Sequence, residues 1–113
     1  MVAVRVDRSS GSPLGNPYVM AGDGSDRDEV CDAYDALLRR SLYPGRELTD
    51  AEVKYLGVRA GHGGKVMRWD CSDARAEMDR LRTLYETCSI QLECHCHPLR
   101  CHGDSIAVLL STY

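Results

Sequence analysis

The stretch Ile90-Gln91-Leu92-Glu93-Cys94-His95-Cys96 alternates apolar or thiol side chains with polar ones. A period of two is a strand's period, and it places Ile90, Leu92, Cys94 and Cys96 on one face. Pro98 then turns the chain, and Gly103-Asp104 opens an apolar-sided helix, Ser105 to Ser111, with Ile106, Leu109 and Leu110 inward. This strand, loop and helix constrains the fold most, because open α/β sheets bind ligands at the carboxyl ends of their strands.

The rest of the chain fills in around that unit. Val2, Val4 and Val6 alternate with Ala3, Arg5 and Asp7, which predicts a first strand. Ser9 to Pro17 is rich in Ser, Gly, Pro and Asn and reads as a loop, and Tyr18-Val19-Met20 follows as a short extended piece. Ser25 with Asp28 forms a capping-box pair ahead of Val30, Tyr34, Leu37, Leu38 and Leu42 at helical spacing, ended by Pro44-Gly45. Thr49 with Glu52 repeats the cap for a short helix to about Leu56, stopped at Gly57. Gly57 to Trp69 is glycine-rich and irregular, with room for a strand at Lys65 to Trp69. A third helix runs from about Ser72, with Ala74, Met78, Leu81, Tyr85 and Cys88 on one face. The order predicts one α/β or α+β domain over residues 1–113, a small single-layer sheet flanked by three to four helices.

Six cysteines are many for 113 residues. The alternating N-terminus lacks the long apolar stretch of a secretion signal, and no apolar run reaches the length of a membrane span. The expectation is a cytoplasmic protein, where thiol or metal chemistry outweighs a disulfide framework. A net charge of −3 argues against extended nucleic-acid binding, which needs clustered positive charge, but permits a small anionic ligand at a helix N-terminus.

Two kinds of chemistry compete for the cluster Cys94 to Asp104. Cys94, Cys96, Cys101 and His102 form a Cys3His set for zinc, although C-x-C is tighter than usual zinc spacing. Without metal, Cys101 lies near a helix N-terminus, where the dipole lowers a thiol's pKa; His102 or His97 serves as base and Asp104 orients it or caps the helix. Backbone N–H groups at Gly103 and beyond then hold an anion. The plain alternative is that Cys94 and Cys96 are buried small residues and Asp104 an N-cap.

Elsewhere, Gly61-His62-Gly63-Gly64-Lys65 fails the phosphate-loop pattern, because Arg59 and Val66 stand where Gly and Ser or Thr are needed. Asp26, Asp28, Glu29 and Asp32 match the helix dipole. Cys31 and Cys88 are read as core, and Trp69 as core packing ahead of ligand stacking.

Leu14-Gly15-Asn16-Pro17-Tyr18 together with Leu92-Glu93-Cys94-His95-Cys96-His97-Pro98-Leu99-Arg100-Cys101-His102-Gly103-Asp104-Ser105-Ile106 resembles a family of small uncharacterised phage and bacterial proteins, a domain of unknown function. Its members pair an early W-G-N-P-[FY] with a late L-x-C-x-C-x-P-x-x-C-H-[AG]-D-x-L. The resemblance implies that Gly15, Asn16, Pro17, Cys94, Cys96, Cys101, His102 and Asp104 belong together, in a cytosolic setting, the host cytoplasm for a phage protein. It implies no activity. Leu14 departs from the family's Trp, and residues 43–70 are unlike the usual connection, so nothing carries over to His62 or Lys65. Two functions follow as expectations. One is a pocket for a small anionic, nucleotide-like ligand, with Gly15, Asn16, Pro17, Tyr18 and Gly103 binding and Cys101, His102 and Asp104 acting. The other is a zinc-stapled module that binds a host protein.

Overall fold

Val2–Arg5 (β1) and Ile90–Glu93 (β2) pair in parallel, with Val2 opposite Ile90 and Arg5 opposite Glu93. Parallel neighbours need a long crossover. Here it holds three helices, Arg27–Ser41 (α1), Asp50–Arg59 (α2) and Cys71–Thr87 (α3), and Gly103–Thr112 (α4) follows β2. The computed structural model describes residues 2–6, 11–42, 47–87, 90–93 and 103–112. Within them the chain is mixed α and β and helix-dominated, with a two-stranded sheet.

One apolar cluster spans the described chain from Val4 to Leu110. Val4 and Val6 bury one side of the β1 segment while Ala3 and Arg5 stay exposed, and Ile90 and Leu92 pack on the same cluster. α1 supplies the centre with Val30, Ala33, Tyr34, Leu37 and Leu38. Each large apolar side chain buried there contributes roughly 1.5–3 kcal/mol. Ile106, Leu109 and Leu110 of α4 enter it as their spacing predicts. Trp69 is core, its indole N–H donating to the Ser41 hydroxyl at 2.9 Å and its ring edge-on to Tyr34. Cys31 is buried too.

Two helix boundaries and one helix face differ from the sequence expectation, each for a local reason. α1 starts at Arg27, after Asp26, and no side-chain cap forms there. The Asp26 carboxylate instead accepts from the Ala21 N–H at 2.8 Å, closing the preceding loop, so the Ser25–Asp28 box is not made. α2 has its Thr49–Glu52 box in full but passes through Gly57 to Arg59. Its stop is Gly61, at φ +96, with the His62 N–H bonded to the Gly57 carbonyl and the Gly61 N–H to that of Val58, a Schellman closure. In α3 the apolar stripe runs Cys71, Ala74, Met78 and Leu81 and then Leu84, which leaves Tyr85 46% exposed, off the expected face. At the α3 start, Asp70 accepts from the Asp73 N–H at 3.0 Å. The strand allowed for at Lys65 to Trp69 is reduced to a bridge between Val66 and Tyr18. Pro44-Gly45, Cys88 and the Cys94–Cys96 end of the last expected strand lie outside the described residues.

Candidate ligand site at the strand exits

Parallel pairing has one consequence for function. Arg5 and Glu93 are register partners, so both strands end on the same edge of the sheet. From Arg5 the chain leads into the Gly15–Tyr18 turn, and from Glu93 into the Cys94–Asp104 segment. The two motifs are far apart in sequence, and each follows one of these two paired strands.

The first motif is a rigid, buried turn. Gly15, Asn16, Pro17 and Tyr18 are all buried. The Asn16 side-chain oxygen Oδ1 accepts from the Tyr18 N–H at 2.9 Å, an Asx turn, and its side-chain Nδ2 donates to the Val30 carbonyl at 3.5 Å. The Leu14 carbonyl accepts from the Tyr34 hydroxyl at 2.7 Å, and the Tyr18 hydroxyl donates to the Val53 carbonyl. Across the bridge, the Met67 N–H donates to Pro17 at 2.7 Å and the Val19 N–H to Lys65 at 2.9 Å. The turn is therefore tied to α1, α2 and the 65–67 segment at once. Leu14 is fully buried, so it serves as core where the resemblance has Trp.

Burial pushes the Tyr18 and Tyr34 phenols above the ordinary tyrosine range. Both therefore stabilise the fold fully below the unfolded tyrosine pKa of about 10, and that contribution is lost as pH rises past it.

His62 is buried beside this turn, edge-on to Tyr18 at 5.5 Å. Its Nε2 lies 2.8 Å from the Val19 carbonyl and must donate to it, because a carbonyl only accepts. Its Nδ1 is buried with no hydrogen-bond partner among the described residues. Lys65, the other residue of that loop, is exposed.

Of the second motif, Gly103 is buried and Asp104 exposed in the first turn of α4. Cys94, Cys96, Cys101 and His102 lie outside the described residues. Among the described residues no group of three or more His, Cys, Asp or Glu is placed to hold a metal, and no helix is long and apolar enough to cross a membrane.

One feature had no signal in the sequence. An open cleft of about 530 Å³ lies between the 11–17 turn and the Met67–Asp73 stretch. Gly15 and Pro17 form one wall, while Arg68, Trp69 and Asp73 stand on the other. These residues come from segments with no shared motif, brought together by the bridge between Tyr18 and Val66 and the hydrogen bonds beside it.

The fold and the turn define a small mixed α/β protein whose two paired strands end at one edge of the sheet. The family "Domain of unknown function (DUF4326)" matches residues 1–112, and the chain belongs to it. Neither a curated protein nor a solved structure matches.

Proposed function

We propose that the Gly15–Tyr18 turn and the Cys94–Asp104 segment line one pocket that binds, or acts on, a small anionic, nucleotide-like molecule. The observation that carries this is the Arg5–Glu93 register, because parallel strands deliver their exit loops to a common edge. In this reading Cys101 is the reactive thiol, activated by the α4 N-terminus and by His102 as base. Asp104 orients His102 or caps α4. Backbone N–H groups from Gly103 onward receive the anion, and the Asn16 turn shapes the opposite wall with Gly15, Pro17 and Tyr18. Residues 1–113 act as one domain, in the cytoplasm of a bacterium or of a phage's host.

The test is thermal denaturation with adenosine 5′-monophosphate (AMP), ribose 5-phosphate and inorganic phosphate as probes. At 100-fold its dissociation constant a bound probe adds about 2.7 kcal/mol. Cys101→Ser is expected to leave the melting temperature of the free protein nearly unchanged and to abolish the shift with AMP. A failure of all three probes to stabilise the wild-type chain overturns the reading.

The crowding of three cysteines and His102 within Cys94 to His102 favours a second reading, a zinc-stapled module that binds a host protein. Metal analysis of untagged protein prepared without chelator then gives near one zinc per chain, and Cys101→Ser costs much of the fold. Metal-free, well-folded protein removes this reading.

A further inference from the structure

We infer that the cleft between the 11–17 turn and the Met67–Asp73 stretch seats the nucleoside part of the ligand, with its sugar hydroxyls on Asp73, its base against Met67 and the edge of Trp69, and Arg68 as the cation at its rim. The inference rests on the pocket reading above and adds the subsite. The cleft's volume of about 530 Å³ lies within the range of small-molecule sites. It shares Gly15 and Pro17 with the proposed pocket, so the two are walls of one turn.

Its chemistry is mixed in the way a nucleoside needs. Met67 is 43% exposed and offers a polarisable apolar surface, while Trp69 is held from behind by Ser41 and Tyr34 and cannot swing away. Arg39, Arg75 and Arg80 each pair with a carboxylate, yet the exposed Arg68 makes no hydrogen bond or ion pair among the described residues. The side chain of Asp73 is likewise exposed and without such a partner among them, whereas Asp70 caps α3. A guanidinium and a carboxylate on one cleft, neither paired among the described residues, suit a ligand with both an anion and paired hydroxyl donors. A carboxylate that accepts from ribose hydroxyls is a recurrent device of nucleotide sites.

The chain has one tryptophan, so Trp69 emission reports on the cleft directly. Titration with AMP, excited at the red edge, is expected to change that emission saturably. Asp73→Asn and Arg68→Gln should each weaken AMP binding about ten-fold or more, the scale of a charge-assisted hydrogen bond. Arg80→Gln, on another part of α3, should leave it unchanged. Asp73→Asn and Arg68→Gln alter exposed side chains, and unchanged melting temperatures check that the fold is intact. If AMP stabilises the chain in a Cys101-dependent way but both cleft variants bind it normally, the cleft assignment falls and the pocket reading survives. If wild-type emission and melting temperature both ignore AMP, ribose 5-phosphate and inorganic phosphate, the two fall together.

Discussion

Gly57 shows how a residue's meaning depends on what passes over it. By sequence it reads as a helix stop, yet it sits buried inside α2 under the Tyr18 ring. A Cβ at this position would lie 2.8 Å from Tyr18 Cε1, and that ring is held by its hydroxyl on Val53. On an exposed helix Gly→Ala stabilises by about 1 kcal/mol. Here Gly57→Ala is expected to destabilise by about 1–3 kcal/mol, the cost of overpacking, read as a lowered melting temperature. A raised one would contradict the packing. Asn16 is similar: its type and its local turn to Tyr18 were legible, but its bond to Val30 depends on α1 being alongside. Arg68 and Asp73 carried no signal, because nothing in their spacing announces the cleft they share.

Helices were legible through their periodicity, and their starts less evenly. The Thr49 box forms in full, the Thr49 hydroxyl accepting from the Glu52 N–H and the Glu52 carboxylate from the Thr49 N–H. Ser25 and Asp28 offer the same pattern, but the loop at Ala21 takes the Asp26 carboxylate and sets the helix start two residues later. Thr49→Ala should therefore cost about 1 kcal/mol in chemical denaturation, and Ser25→Ala close to nothing. Equal losses would mean that both boxes cap. Tyr85 left the expected face of α3 because the buried stripe advances by three residues at Leu81, to Leu84, which an expected spacing of four does not anticipate.

At the scale of the molecule, the order strand, three helices, strand, helix was readable from pattern alone and is the order the described residues take. The partner and direction of each strand were not, since a two-fold alternation looks the same in parallel and antiparallel ladders. Parallel pairing of β1 with β2 ends both strands at one edge, and the proposed pocket rests on the two motifs that follow them meeting there. The cysteine and histidine side chains of Cys94 to His102, by contrast, were legible as a cluster and lie outside the described residues. Amide chemical-shift mapping during an AMP titration tests the shared edge most directly. The account predicts that signals of residues 15–18 and 94–104 move together with a single saturation curve. Perturbation of one of these segments without the other, or movement gathered instead on the exposed Tyr55–Val58 face of α2, would contradict it.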